Sequence, residues 1–501
     1  MSPPIANTIY GQVRGVPHPT GLAFLGIPFA GPPTGPHRFK PPVPPEPWDG
    51  VLDCSRPSAA CPQPPPSPLP AVQKLVRLDE PQDEDCLYLN VWTPALDGDR
   101  RPVMVWIHGG AFRNGSGSSW PVPSGSFARD GVVLVSINYR LHAFGFLHLD
   151  GLFDDAEGSG NAGILDQVRA LEWVRDNIAS FGGDPNNVTI FGASAGGSSV
   201  AILMALAGDR QLFHRAIAMS AIVPCTRTAE SARHATQALL TALEVTPGDW
   251  NALRAVPAAR IVAAATAPLA LERPPEDPGL MNFRPVLDGH VLTQRPFQAI
   301  SDGRASGIDL LVGSTADEWR LLHFAAPGKF PSPNLQALSA FADGGPDEIE
   351  QVYRQNLKVA DPTDIAAAVD TDVLFGIPAI RLAEAQLRHH ARVWMYRFSW
   401  PSPVADGALG AFHGLDVPFV FDDLDDEQLL GAGPPAHLAS LMHDAWVRFA
   451  TVGEPGSSTW PTYDLEQRSV MMLGAESHVV QDPDAHRRKL WDRLPCESAQ
   501  A

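Results

Sequence analysis

The pentapeptide Gly192-Ala193-Ser194-Ala195-Gly196 sets one serine among four small residues and is the single Gly-x-Ser-x-Gly string in the chain. It stands where the strand-like run Val188–Phe191 gives way to a small-residue helix pattern from about 195 to 207. A serine at such a corner is suited to act as a nucleophile. The turn is tight and tolerates only small neighbours, the hydroxyl stands clear above the sheet, and the helix N-terminus behind it favours developing negative charge. A serine between glycines also serves as a plain helix cap, but the strand-to-helix position favours the nucleophile. Acyl transfer from a serine passes through an oxyanion that needs backbone N–H donors. His108-Gly109-Gly110-Ala111-Phe112, directly after the apolar run Val103–Ile107, offers backbone with almost no side chain in the way. His108 itself is expected to pack and shape this loop.

A serine nucleophile needs a base, and the base needs a carboxylate to orient it. Asp317 and Glu318 follow the apolar run ending Leu311-Val312-Gly313, and either is a candidate acid. Among sixteen histidines, His413 in Gly410-Ala411-Phe412-His413-Gly414 has the most suggestive setting, between small residues and ahead of the apolar run Val417–Phe421. The chain order is serine, acid, histidine, the order of hydrolases whose serine sits on a strand-to-helix elbow.

The elements that must hold these residues alternate. Val103–Ile107 and Gly131–Tyr139 read as buried strands, and Leu165, Val168, Leu171, Val174, Ile178 and Phe181 recur at helical spacing. That helix stops at Gly182-Gly183-Asp184-Pro185, a glycine terminator followed by proline. Ile308–Val312 and Val393–Phe398 supply further strands. Strand and helix in alternation predict an α/β fold, a twisted and mostly parallel sheet with helices on both faces. The stretches 225–300 and 330–390 read as helical insertions that form a cap. With no repeat and no glycine/serine linker, residues 1–501 are expected to form one domain.

Composition narrows the partners. A net charge of −19 argues against nucleic acid or an anionic membrane surface. No window approaches 18 uninterrupted apolar residues, and the N-terminal segment lacks a basic stretch followed by an apolar core, so a cytoplasmic protein is expected. Five scattered cysteines with no Cys-x-x-Cys pair predict neither a disulfide scaffold nor a metal site. Proline, 50 of 501 residues, is about twice its usual share. The segments 41–50 and 62–70 are expected as polyproline-II surface loops, and the acidic run Asp422–Glu427 as a solvated turn.

Several long segments then carry a resemblance. EDCLYLNVW (84–92), HGGAF (108–112), INYRL (137–141), the stretch 160–197, Asp317-Glu318 and FHGLDVPFVF (412–421) resemble the type-B carboxylesterase family, which includes bacterial para-nitrobenzyl esterases and the cholinesterases. The resemblance covers nearly the whole chain and implies an α/β-hydrolase fold and a cofactor-free serine hydrolase. It implies Ser194 as nucleophile, Glu318 as acid and His413 as base. It implies an oxyanion hole from the N–H groups of Gly110, Ala111 and Ala195, with Gly109 serving the turn and Ser220 buried near acid and base. Cys61 and Cys86 align with the family's disulfide, which a cytosolic redox poise would keep reduced.

The departures bear on substrate. Many relatives have Glu before the nucleophile, where this chain has Ala193, and they have Gly where it has Trp319 and Ala221. No tryptophan lies between Cys61 and Cys86, the loop that in cholinesterases binds quaternary ammonium. Choline esters are therefore not expected; neutral small-molecule esters are. Phe112 and Trp319 are candidate pocket residues, and Trp319 either narrows the pocket or packs beneath it. The Gly-Gly-Ala loop also resembles that of hydrolases that accept esters of bulky tertiary alcohols. Two other readings are cleavage of carbamates or amides by the same residues and a non-catalytic, cholinesterase-like binding role.

Overall fold

Apolar runs bounded by glycines and prolines assemble into an eleven-stranded sheet. Its strands are β1 (Val16–His18), β2 (Gly21–Pro28), β3 (Tyr88–Thr93), β4 (Arg101–Ile107), β5 (Val133–Ile137), β6 (Gly183–Ala193), β7 (Arg215–Met219), β8 (Asp309–Thr315), β9 (Val393–Phe398), β10 (Ser469–Leu473) and β11 (His478–Gln481). They lie in the order β11-β10-β9-β8-β7-β6-β4-β5-β3-β2-β1. Neighbours from β10 through to β5 are parallel, and the strands beyond them at either end are antiparallel. The edges are short: three residues at β1, including Pro17, and four at β11. The computed structural model describes residues 3–65, 77–208, 210–222, 225–267, 281–325, 335–342, 344–357, 361–456 and 459–494.

The two-residue period of a strand divides the core into two. Val103, Val105 and Ile107 of β4 face one apolar layer, and Met104 and Trp106 face the other. The first layer is completed by helices α1 (Ala162–Asn177), α2 (Ala195–Ala207) and α3 (Ile377–Leu387), the second by α4 (Ala436–Val452). This is the helix-covered, mostly parallel sheet that the alternating sequence predicted, and central strands such as β5 are buried on both faces.

Boundaries move for physical reasons. The helix predicted through Phe181 ends at Asn177; a 3₁₀ turn carries Ile178 to Phe181, and Gly182 closes it at φ 78°. Strand β6 starts at Gly183, ahead of its apolar run, because Arg101 N–H bonds to the Gly182 carbonyl and Arg101 pairs with Gly183. Those pairings are between backbone groups and leave no mark on side-chain polarity.

Within 225–300 the described residues hold helices Ala229–Leu243, Trp250–Ala255, Ala258–Thr266 and Pro296–Ser301. Within 330–390 they hold Leu335–Leu338, Pro346–Leu357 and a continuous rod, Pro362–Thr371 running through a π-helical turn Asp372–Gly376 into α3. Segment 41–50 is irregular, as expected. Pro62-Gln63-Pro64 is buried rather than on the surface, and 66–70 lies outside the described residues. The acidic run is not wholly solvated either: Asp426 is buried and caps the short helix Glu427–Leu430 through the N–H groups of Gln428 and Leu429. No helix of the described residues is long and apolar enough to cross a membrane.

One ion pair fastens the loop after β5 to α1. Arg140 Nε and Nη2 donate to both oxygens of Asp166 at 2.8 and 2.6 Å, with the two side chains 2% and 0% exposed. Removing one partner strands a charge in the core, which typically costs about 3–5 kcal/mol. Arg140→Met is therefore expected to lower the urea midpoint markedly, and adding Asp166→Leu to recover most of the loss.

Candidate active site

Register places the candidate residues side by side. Ile107 pairs with Gly192, Ala193 with Met219, and Met219 with Gly313. The carboxyl ends of β4, β6, β7 and β8 thus adjoin, and the loops that leave them carry Gly109–Phe112, Ser194, Ser220 and Glu318. Open α/β sheets bind reactants at this edge.

Ser194 sits at φ 60°, ψ −124°, a conformation a side-chain-bearing residue adopts only when its surroundings impose it. Its N–H bonds to the Met219 carbonyl at 3.0 Å, and its own carbonyl accepts from Ser198 N–H at 2.8 Å. Small neighbours are required on both sides. A methyl on Gly192 would meet the Ile107 carbonyl oxygen at 2.6 Å, and one on Gly196 would collide with the same atom. The strand and the helix therefore approach closely enough to hold the strained corner, with α2 beginning at Ala195 directly behind the serine.

The loop after β4 turns through three consecutive left-handed residues: Gly110 at φ 105°, Ala111 at 57° and Phe112 at 53°. The Gly110 carbonyl accepts from Arg113 and Asn114 N–H, both at 2.9 Å, and Phe112 O accepts from His142 N–H at 2.7 Å. Among the described residues the N–H groups of Gly110, Ala111 and Ala195 donate to no protein acceptor. Gly109 keeps this loop close to the serine, since a methyl there would stand 3.1 Å from Ser194 Cβ. His108 stacks on Tyr139 at 4.4 Å and bonds through Nδ1 to the Gly109 carbonyl. Burial pulls its pKa down to about 4, so it is a neutral packing residue. Phe112 is wholly buried, edge-on to Tyr139 and Phe146; it braces the loop from within the core instead of facing a pocket.

The two adjacent acids take different work. Glu318 is wholly buried: Oε1 accepts from Thr315 N–H at 2.7 Å, and Oε2 lies 2.5 Å from His413 Nδ1. Asp317 pairs with the loop that carries the histidine, accepting from Ala411 N–H at 2.9 Å while its own N–H donates to Ala411 O at 3.0 Å. His413 is about a quarter exposed at its side chain, 24%. Burial opposes its protonation, but the Glu318 charge and hydrogen bond, with Asp416 behind, outweigh that and hold the imidazole above its usual 6.5. The structure records no hydrogen bond between Ser194 and His413; contacts of this kind often tighten only with reactant in place.

Ser220 is buried at φ 46°, its N–H bonded to Gly313 O at 2.8 Å. Trp319 is 6% exposed, its ring 5.7 Å from Phe375 and its N–H bonded to Thr371 Oγ1, so it packs beneath the acid loop and does not project from it. Cys61 and Cys86 are free, buried and close enough to interact. The segment between them is described only in part, and residues 66–76 lie outside it. Among the described residues no cluster of three His, Cys, Asp or Glu side chains could hold a metal.

Two residues of the site were not singled out from the sequence. Asp416 lies in the quoted FHGLDVPFVF segment; it accepts from Tyr396 OH at 3.0 Å. Burial and the neighbouring Glu318 charge raise its pKa to about 7, against the opposing pull of Tyr396 and His413. Gln63 sits in the proline-rich stretch. Its Nε2 donates to Gly115 O at 3.0 Å and its Oε1 accepts from Gly115 N–H at 2.8 Å, so the carboxamide acts as one rung of a ladder that closes the loop after Ala111. The only signal for it was a polar residue between prolines.

The chain is similar to known proteins over nearly its whole length. The profile of the Carboxylesterase family matches residues 2–491. Para-nitrobenzyl esterase of Bacillus subtilis is 40% identical over 499 residues, 98% of each chain. The solved carboxylesterase EST55 of Geobacillus stearothermophilus superposes with a TM-score of 0.84 at 38% identity, over 97% of this chain and 99% of that one. A solved PNB esterase gives the same TM-score, 0.84, at 38% identity over 97% and 99%. The chain belongs to the carboxylesterase family, as a serine carboxylic ester hydrolase of the α/β-hydrolase fold that acts on small-molecule esters.

Proposed function

We propose that Ser194 is the nucleophile, His413 the base and Glu318 the acid that orients it, with the N–H groups of Gly110, Ala111 and Ala195 as the oxyanion hole. The observation that carries the reading is the Glu318–His413 contact, on the loops that leave the same sheet edge as Ser194, which is held at φ 60° on a strand-to-helix corner. His413 Nε2 takes the Ser194 proton as Oγ attacks the ester carbonyl. The three N–H groups receive the developing oxyanion, each donor worth about 3 kcal/mol by analogy with other oxyanion holes. The imidazolium returns its proton to the departing alkoxide. Water then enters, gives a proton to His413 and attacks the acyl carbonyl; the same proton goes back to Ser194 as the acid leaves.

Neutral esters are the substrates this site favours, because Ala193 puts no charge beside the serine. Within 225–300 and 330–390 the described helices other than α3 and Pro296–Ser301, which pack in the layer over the sheet, form the cap, and the whole chain acts as one domain. The net charge of −19 fits a cytoplasmic protein with no nucleic-acid or membrane partner.

The test is covalent labelling by a fluorophosphonate, followed by peptide mapping. Ser194 is expected to carry the label at neutral pH. The rate should fall as pH drops through the raised pKa of His413, since an imidazolium cannot accept the serine proton. Label on another residue, or none, removes the assignment.

A further inference from the structure

The rod from Pro362 to Leu387 departs from regular α-helix at one place, the π-helical turn Asp372–Gly376. Pro378 accounts for it. Proline has no N–H to give Leu374, and its ring crowds that carbonyl, so the helix widens ahead of it. Ile377 N–H instead reaches back to the Asp372 carbonyl. Single π turns recur at functional sites because they turn one side chain out of the helical register.

The residue turned here is Phe375. Its ring is 1% exposed and lies 5.1 Å from the His413 imidazole and 5.7 Å from Trp319. Just before the turn, Thr371 Oγ1 accepts from the N–H of Trp319, the residue after Glu318. One turn of helix therefore touches both halves of the Glu318–His413 pair, the acid loop through Thr371 and the imidazole through Phe375. The turn itself is anchored from the far side. Asp372, 2% exposed, accepts from Tyr353 OH at 2.7 Å and pairs with Arg487 at 3.2 Å, and Trp491 Nε1 donates to Tyr353 OH at 2.7 Å.

We infer that the π turn Asp372–Gly376 is the element that positions His413, and that Phe375 is its contact: a positioning residue that holds the imidazole against Glu318 and keeps water off that hydrogen bond. The inference rests on the role proposed for His413. The charged groups that act on the imidazole are Glu318 from the acid loop and Asp416 from its own loop; Tyr396 of β9 bonds Asp416, Asp317 bonds the Ala411 backbone, and Asp372 of the turn is committed to Tyr353 and Arg487. Burial is the largest single influence on the imidazole. Uncovering the imidazole lifts part of that burial and favours the imidazolium.

The experiment compares wild type, Phe375→Ala, Phe375→Leu and Phe375→Tyr on p-nitrophenyl butyrate from pH 5 to 9, with fluorophosphonate labelling of Ser194 in each. In Phe375→Ala, kcat should fall roughly 10–100-fold with KM changed less than about threefold, the usual scale for a misplaced catalytic group. The acid limb of its kcat/KM profile should move to higher pH. Phe375→Tyr, which restores a ring, should recover most of the loss. A change in KM alone, or a folded Phe375→Ala variant with unaltered kcat and pH profile, overturns the inference. If the alanine variant does not fold, Phe375→Leu carries the same two readouts. Failure of labelling in wild type would overturn the triad reading instead, which separates the two.

Discussion

Ser194→Ala is expected to lower kcat/KM on p-nitrophenyl butyrate by roughly 10⁵-fold or more, the scale at which removing a serine nucleophile abolishes its chemistry. The loss should lie in kcat. Ser194 Oγ makes no capping hydrogen bond to α2, so its removal takes no cap from that helix. Alanine keeps a small side chain at the tight corner between Gly192 and Gly196. The melting temperature should therefore stay within a few degrees of wild type, which distinguishes lost chemistry from a lost fold. Turnover within tenfold of wild type would remove the nucleophile assignment.

Glu318→Gln should lower kcat by roughly 10⁴-fold while KM changes little, as expected when a base loses the carboxylate that fixes its tautomer. The two oxygens of Glu318 are both committed, Oε1 to Thr315 N–H and Oε2 to His413 Nδ1. Glutamine has one oxygen for these two donors. If it keeps Thr315, its NH₂ faces Nδ1, which must then be the bare nitrogen. The proton moves to Nε2, and the imidazole can no longer accept the serine proton. If it flips, two N–H groups meet at Thr315. The check is kcat and KM at pH 8 with Asp317→Asn as companion. Asp317 bonds the Ala411 backbone and not the imidazole, so its variant should lose much less.

That pair of acids marks where reading from residue type and spacing stops, and only the family resemblance singles out Glu318. Asp317 and Glu318 are adjacent, of the same charge and equally placed after β8; which of them meets His413 depends on side-chain direction out of a turn, and no periodicity encodes that. The serine corner was legible because steric need forces small residues into a short string. Strands β8 and β9 were legible because burial on both faces leaves continuous apolar runs. By contrast, Gln63 was hidden, since its two bonds go to the backbone of a residue 52 positions away. Phe375 looked like one apolar residue in a helical pattern. Only the turn of π-helix ahead of Pro378 decides that it leaves the core face and meets the imidazole.

The ends of the sheet have a consequence for the protein in concentrated solution. An exposed strand edge is a template on which a second chain can add, and long flat edges nucleate aggregates. Here one edge is three residues long and its middle residue, Pro17, has no N–H to offer; the other is four residues long. Neither presents a row of donors long enough to recruit another strand. With a net charge of −19 adding mutual repulsion, the native protein should stay dispersed at high concentration near neutral pH and lose that property as acid discharges its carboxylates.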